Sequence, residues 1–307
     1  MAVARVLTLV LGVFCLWGYG AFAREAMQTA SGKPVEVRQG EIVEIKVAGV
    51  EWVAVEGRLG KEKIHFYPGP GGFYSALVGV DLEAKPGLVK VKVHATRQSE
   101  KSHESEIPLM IKAKAFQKES FSVAAEFDQL GPEVLARISA DREQFARAFA
   151  STAPARLWVM PFVLPISSDI TSPFGYRRVI NGMPRAPHSG VDLKAAVGTE
   201  VQATNHGRVV LRGDFFYAGK SVVLDHGGGL QTLYFHLAEV KVEQGAMVRQ
   251  GDVIALSGMT GRITGPHLHW GARLNNARVD PLELVGKLRD QRDSNPHPGH
   301  PGGKMEK

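Results

Sequence analysis

Two histidines lie one residue apart in the stretch "GPHLHW" near the end of the chain, at His267 and His269. Successive side chains of a β-strand point to opposite faces, so these two histidines would share one face of a strand. Leu268 and Trp270 would share the other face, and we expect Trp270 to lie in the core. A lone H-x-H pair is more often structural than catalytic, so the interpretation depends on what else the chain supplies.

Three further side chains could bind a metal or move a proton. The stretch "PHSGVDLKA" contains His188 and Asp192, and "TLYFHL" contains His236. A catalytic zinc needs three protein ligands and one open position, and His and Asp can supply all three. The single cysteine, Cys15, lies in a segment that we expect to be removed, so thiolate ligands, disulfides and a cysteine nucleophile are excluded from the mature chain. One carboxylate ligand leaves zinc Lewis-acidic enough to bring bound water to a pKa of about 7.

Length and composition indicate a folded protein of two domains. The chain has 307 residues, with 44% hydrophobic and 22% charged residues. Its formal net charge is +6, without an arginine-rich block or basic residues interleaved with aromatic ones. We therefore expect no nucleic-acid partner. A mild positive charge suits a polymer that carries carboxylates, such as a bacterial cell-wall glycopeptide.

The first 23 residues are typical of a secretory signal peptide. Arg5 precedes an apolar run over 6–17, and the segment ends in "AFA" at 21–23. The apolar run is too short to span a bilayer comfortably, so we expect no transmembrane segment after cleavage. A signal peptide together with the absence of cysteine from the mature chain suits the periplasm of a Gram-negative cell envelope, where we expect the protein.

The hydrophobic patterns predict a mainly β protein with three parts. Residues 24–115 contain alternating strands such as "IVEIKV" and "LVKVKVHA", which favour an N-terminal β-sandwich-like domain. Residues 116–158 contain "GPEVLARISADREQFARAFA", which predicts a helical linker with Pro132 in its first turn. Residues 159–290 return to short strands and form the predicted catalytic domain. The tail over 291–307 is rich in Pro and Gly and is predicted to be disordered.

The second β region contains five candidate strands, over 207–212, 220–224, 231–236, 253–257 and 267–274. The stretch "DHGGG" is expected to be a turn in which His226 is exposed. Tyr234 shares a face with His236 if their strand is regular, so it would either line a groove or pack in the core.

A resemblance to a known family joins these pieces. The stretches "HSGVDLKAAVGTEVQAT", "VVLDHGGGLQTLYFHL" and "GAMVRQGDVIALSGMTGRITGPHLHW" together resemble the lysostaphin-type (LytM-like) zinc endopeptidases over about residues 165–283. The resemblance implies an antiparallel β groove domain with one zinc ion and a substrate in the peptide cross-links of peptidoglycan. It implies zinc ligands at His188, Asp192 and His269, and non-ligand catalytic histidines at His236 and His267.

The expected function is therefore a secreted zinc metalloendopeptidase, with D,D-endopeptidase cleavage at D-Ala–diaminopimelate cross-links and glycine bridges as the competing substrate. The alternative is a wall-binding module that holds zinc without catalysis and activates another cell-wall hydrolase. Some relatives of that kind have lost ligands, whereas every implied ligand and both histidines are present here. An adhesion or chaperone protein built on the N-terminal sandwich has no support beyond the fold class of that region. The sequence leaves three roles open for that domain, which are to block the groove, to position the enzyme or to recruit a regulatory protein.

Signal cleavage after Ala23 predicts a mature chain that begins near Arg24 and contains no thiol. Intact-mass measurement of exported protein checks this directly. An exported protein that still carries residues 1–23 would contradict the periplasmic assignment.

Overall fold

The computed structural model describes residues 33–49, 52–69, 71–98, 102–121, 130–159 and 161–286. The predicted signal peptide and C-terminal tail lie outside these described residues. Within them the chain is mainly β, as predicted. Neither of the two described helices has the length and apolar character that crossing a membrane requires.

The first part of the chain contains strands β1 (Val35–Arg38), β2 (Ile42–Ala48), β3 (Trp52–Leu59), β4 (Glu62–His65), β5 (Tyr67–Pro68), β6 (Phe73–Gly79), β7 (Gly87–Arg97), β8 (Ser102–Lys112) and β9 (Lys118–Phe121). After helix α1 (Pro132–Ala150) come β10 (Ile170–Ser172), β11 (Arg177–Ile180), β12 (Met183–Pro184), β13 (Gly190–Lys194), β14 (Glu200–Gln202), β15 (Gly207–Phe215), β16 (Gly219–Gly227), β17 (Leu230–Val240), β18 (Met247–Val248), β19 (Val253–Ser257), β20 (His267–Leu274), β21 (Ala277–Val279) and helix α2 (Leu282–Gly286).

The N-terminal strands form a sandwich. A five-stranded sheet in the order β1-β8-β7-β3-β4 faces a three-stranded sheet in the order β2-β6-β5. The alternation read from the sequence is realised, because Ile45 from one sheet and Val91 and Val93 from the other are at most 2% exposed in a shared core. Lys92, between these two valines, faces outward, which is the expected arrangement for a sheet with one buried face.

The second part is built on a ten-stranded sheet whose main path runs β10-β13-β20-β17-β16-β15-β18. We call the face that carries His267 and His269 the front face, and the opposite face the back face. The back face is the main core, where Leu268, Trp270 and Tyr234 have no exposed surface. Trp270 is therefore a core residue, as predicted.

The sandwich packs against the back face of this sheet. Ile42 lies in one buried cluster with Leu274 and Val279. Arg278 bridges the two parts, with Nη2 and Nε donating to the carboxylate of Asp81 at 2.6 and 2.9 Å. These contacts leave the histidine-bearing front face to other elements.

Helix α1 packs on the front face, beside the histidines. Pro132 is in its first turn, as predicted, and Ala148 is buried against an apolar cluster on β15 to β17. Two hydrogen bonds fix the helix. The Phe216 backbone N–H donates to Asp141 at 2.7 Å, and Gln231 donates to the Ala148 carbonyl at 2.9 Å.

Strand β9, which precedes the helix, adds a parallel strand to β11, with β12 on its other side. Tyr176 donates a hydrogen bond to Glu119 at 3.0 Å. Gly175 has a φ of +76°, and a Cβ there would lie 2.1 Å from the ring of Phe116. A segment that the sequence assigns to the linker is thus part of the small sheet that lies next to His188.

The prediction that His226 is exposed in a turn is wrong. Strand β16 continues through Gly227, and His226 is completely buried. Its Nδ1 donates to the His206 carbonyl and its Nε2 accepts from Thr232, both at 2.7 Å. Three consecutive glycines with positive φ, Gly227–Gly229, move the chain reversal past the histidine. Burial lowers the pKa of His226 to about 4.

The buried His226 predicts acid sensitivity of the fold. His226 takes up a proton near pH 6.5 in the unfolded chain and only near pH 4 in the folded chain. Because the unfolded chain binds the proton first, the free energy of unfolding is unaffected by this group above pH 6.5 and decreases as the pH falls towards 4. We expect this decrease to amount to about 3 kcal/mol by pH 4. Urea unfolding at pH 7.5 and pH 4 measures the loss. His226→Gln should be less stable at pH 7.5 but lose correspondingly less on acidification, and equal losses in both proteins would contradict the assignment.

Candidate metal centre and catalytic histidines

Three side chains converge at one end of the front face. Antiparallel pairing places Asp192 on β13 directly opposite His269 on β20, and His188 lies in the loop just before β13. His188 Nε2 is 3.0 Å from Asp192 Oδ1 and 2.9 Å from His269 Nδ1, and His269 Nδ1 is 3.0 Å from the same Oδ1. Within the described residues these side chains form a group able to hold a metal ion.

Hydrogen bonds on the far side of His188 determine what its ring presents to this group. Its Nδ1 donates to the Pro173 carbonyl at 2.9 Å, so in the neutral ring Nε2 carries a lone pair. That lone pair faces the carboxylate of Asp192. Two acceptors at this distance repel each other unless a cation or a proton lies between them, so the donor set fits a divalent metal ion.

The charge state of Asp192 supports the same reading. Burial alone raises the pKa of its carboxyl, but a proton on the facing nitrogens of His188 and His269 supplies hydrogen bonds and positive charge that outweigh burial and hold the pKa well below its usual range. Asp192 is therefore anionic at neutral pH, the form in which a carboxylate can ligate a metal ion. The donor separations of 2.9 to 3.0 Å are somewhat below the spacing of about 3.3 Å between ligands at tetrahedral zinc.

Gly190 makes room for the His269 ring. A Cβ at this position would lie 2.7 Å from His269 Nε2 and 2.4 Å from the Trp270 carbonyl oxygen. The "HSG" glycine is therefore a steric requirement of the metal group, because any larger residue would displace the imidazole.

His236 and His267 lie next to this group, with ring centroids 4.9 Å apart. Each donates from Nδ1 to a backbone carbonyl, His236 to Thr260 at 3.0 Å and His267 to Gly265 at 2.9 Å. In the neutral form of each ring, Nε2 is therefore the acceptor. Nε2 of His267 is 3.6 Å from the carboxylate of Asp192. The structure thus brings all five sequence-predicted site residues together.

His236 is held in an unusual backbone conformation. Its φ is +64°, in the left-handed region, and its N–H donates to the Ala218 carbonyl at 2.9 Å. The strand is consequently irregular, and Tyr234 does not share an exposed face with His236. Tyr234 is fully buried and accepts a hydrogen bond from the Thr204 backbone at 3.1 Å. Of the two roles considered for Tyr234, core packing is the one observed.

Thr260 is a residue that sequence reasoning missed. Its carbonyl fixes the His236 ring, while its hydroxyl donates to the Leu237 carbonyl at 2.7 Å and accepts from the Lys220 N–H at 2.9 Å. It joins three segments around His236. Nothing in the local stretch "MTGRITG" indicates this role, because the partners lie more than twenty residues away in sequence.

Burial keeps two of the histidines, His236 and His269, neutral. It lowers the pKa of His236 to about 4, and the nearby His269 adds to that shift. Burial also lowers the pKa of His269, and the bond to Asp192 only partly offsets this. Neutral imidazoles are the form needed both for metal ligation and for accepting a proton.

Comparison with known proteins agrees with the geometry. Residues 186–281 match the family described as Peptidase family M23, and this range contains all five site residues. A crystal structure from Pseudomonas aeruginosa assigned to peptidase M23 has 30% sequence identity and a TM-score of 0.66. The similarity covers 85% of this chain and 99% of that one.

Two curated relatives are similar over the second part of the chain. The DD-carboxypeptidase/endopeptidase Mpg of Neisseria meningitidis is 42% identical over 120 residues, which are 39% of this chain and 28% of the relative. The peptidoglycan DD-endopeptidase ShyB of Vibrio cholerae is 38% identical over 116 residues, covering 38% of this chain and 27% of the relative. The chain thus spans little more than a quarter of these relatives' length. With the Pseudomonas structure matched over nearly its whole length, this chain belongs to peptidase family M23.

Proposed function

We propose that this protein is a zinc metalloendopeptidase that hydrolyses peptide cross-links of peptidoglycan. The observation that carries the proposal is the convergence of His188, Asp192 and His269 within 3.0 Å of one another, beside the imidazoles of His236 and His267. The relatives named as peptidoglycan DD-endopeptidases support the substrate class. The proposed site of action is the periplasm, reached through the predicted signal peptide.

In this proposal His188, Asp192 and His269 hold one zinc ion. When bound, the metal supplies Lewis acidity to the scissile carbonyl and lowers the pKa of the attacking water. Asp192 contributes the negative charge of the ligand set, and the Pro173 carbonyl orients the His188 ring. Gly190 leaves the His269 ring the space that ligation needs.

His236 and His267 provide the proton transfers. Each is fixed through Nδ1 by a backbone carbonyl, so Nε2 is the atom that faces the reaction. One ring accepts a proton from the attacking water and returns it to the leaving amine. The other, when its Nε2 also carries a proton, donates a hydrogen bond from Nε2 to the carbonyl oxygen as negative charge develops there. Burial keeps His236 unprotonated at neutral pH, so its Nε2 is free to accept a proton.

For organisation, we propose a β-sandwich over 24–115, a linker over 116–158 and the peptidase domain over 159–290. Helix α1 covers Leu211 and Leu233 on the front face, so a chain cut near Ala155 would expose this apolar surface. A test of whether the sandwich restrains the enzyme therefore has to retain the helix.

The proposed bond is the D-Ala–diaminopimelate cross-link, with glycine bridges as the competing substrate. We expect the mature zinc-loaded protein to convert defined cross-linked dimers to monomers, each cleavage releasing one new amine and one new carboxyl. Mass spectrometry of the products checks the bond. Preferred cleavage of glycine-bridged peptides would contradict the assigned bond and make the glycine bridge the substrate instead. A protein that binds zinc and wall fragments but releases no amine would instead be the non-catalytic activating module.

Single substitutions separate ligands from catalysts. His188→Ala, Asp192→Ala and His269→Ala should each lose most bound zinc, because each removes one of three protein ligands. His236→Ala and His267→Ala should retain near-stoichiometric zinc and lose about two to four orders of magnitude in rate. Metal content by plasma mass spectrometry and cross-link hydrolysis rates measure the two effects.

Circular dichroism of each variant controls for unfolding of the site. Loss of zinc in His267→Ala together with its retention in His269→Ala would reverse the assignment within "HLH". Retention of both zinc and activity in all five variants would place the site elsewhere.

A further inference from the structure

An aromatic chain connects helix α1 to the metal group. The ring of Phe235 lies parallel to the imidazole of His269, with centroids 5.3 Å apart and an interplanar angle of 8°. The ring of Phe145, on the helix, meets Phe235 edge-on at 5.6 Å. A side chain of the linker is therefore two contacts away from a proposed zinc ligand.

The position of Phe235 follows from strand pairing. Phe235 on β17 is directly opposite His269 on β20, so the two side chains stand next to each other on the front face. A flat apolar ring at this distance restricts rotation of the imidazole about its χ2 angle. Asp192 pairs with His269 from the opposite neighbouring strand, β13, and its carboxylate fixes the position of Nδ1. This single contact does not fix the tilt of the imidazole ring, which depends on the side chains packed against it.

The position of Phe145 depends on the docking of the helix. Its ring also packs against Phe215 at 4.6 Å. The Asp141 bond to the Phe216 backbone and the Gln231 bond to the Ala148 carbonyl hold the helix on either side of Phe145. The docked helix therefore holds the ring of Phe145 against the ring of Phe235.

We propose that Phe235 and Phe145 are positioning residues for the metal centre, so that docking of helix α1 tightens zinc binding through His269. This inference rests on the proposed function, in which His269 is a zinc ligand. A ligand whose ring is already oriented loses less conformational freedom on binding the metal, and groups that orient ligands commonly affect metal affinity by one to two orders of magnitude.

The helix offers a matched pair of variants. Phe145→Ala removes the contact with Phe235. Phe149→Ala makes the same truncation one turn later, where the ring lies against Phe145 and the Arg273 guanidinium. Zinc affinity of the full mature chain is measured by competition with a chromogenic chelator. We expect affinity to fall about three- to tenfold in Phe145→Ala and to stay within about twofold of the parent protein in Phe149→Ala.

A double variant tests the route of the effect. If Phe145 acts through Phe235, then Phe145→Ala combined with Phe235→Ala should bind zinc no more weakly than Phe235→Ala alone. Additive losses would show that Phe145 acts by another route and would overturn the proposal. Equal weakening by Phe145→Ala and Phe149→Ala would do the same, because it would reflect general loosening of the helix.

Thermal unfolding of the metal-free proteins monitors the fold. Should Phe145→Ala fail to fold, Phe145→Leu keeps an apolar side chain without the ring edge and should show a smaller loss of affinity in the same direction. Unchanged affinity in a folded variant would overturn the proposal. The zinc measurement requires no peptidase activity, so a protein that binds zinc but cleaves no cross-link would contradict the proposed function alone.

Discussion

The register between β13 and β20 is the constraint on which the metal group depends. Asp192 stands opposite His269 only in that register, and a slip of one residue would send the two side chains to opposite faces. The register is held from behind, where Leu193, Leu268 and Trp270 have no exposed surface. The positions of polar atoms on the front face are therefore set by apolar packing on the back face.

Several groups on the front face cost folding free energy, through loss of hydration or through backbone strain. Asp192 and His269 are desolvated, and His236 adopts a φ of +64° that costs a non-glycine residue free energy. Three backbone carbonyls from two loops offset part of this by fixing the histidine rings. Strain of this kind persists only where the surroundings determine it, and here the Thr260 bonds and the apolar core do so.

What the sequence predicted follows from local periodicity. The alternation in "HLHW" correctly separated front from back, and the spacing after Pro132 correctly predicted a helix. What it did not predict depends on distant partners. The bulge at His236 is made with Ala218 and Thr260, and burial of His226 requires the His206 carbonyl. The edge-on contact of Phe145 with Phe235 joins segments ninety residues apart. The proposed zinc ligands follow from family resemblance, since spacing alone leaves the choice among four histidines open.

The parallel pairing of β9 with β11 has a consequence for the order of assembly. In a chain made from its N-terminus, Lys118–Phe121 emerges long before Arg177–Ile180, so β9 has no partner during that interval. An unpaired strand edge is a template for association with other chains. The sequence "KESF" begins with two opposite charges, which discourage such pairing, and β9 remains an edge strand in the finished sheet. The three-stranded sheet of β9, β11 and β12 can thus form only after Arg177–Ile180 has been made, and the charges of β9 disfavour its pairing with other chains before then.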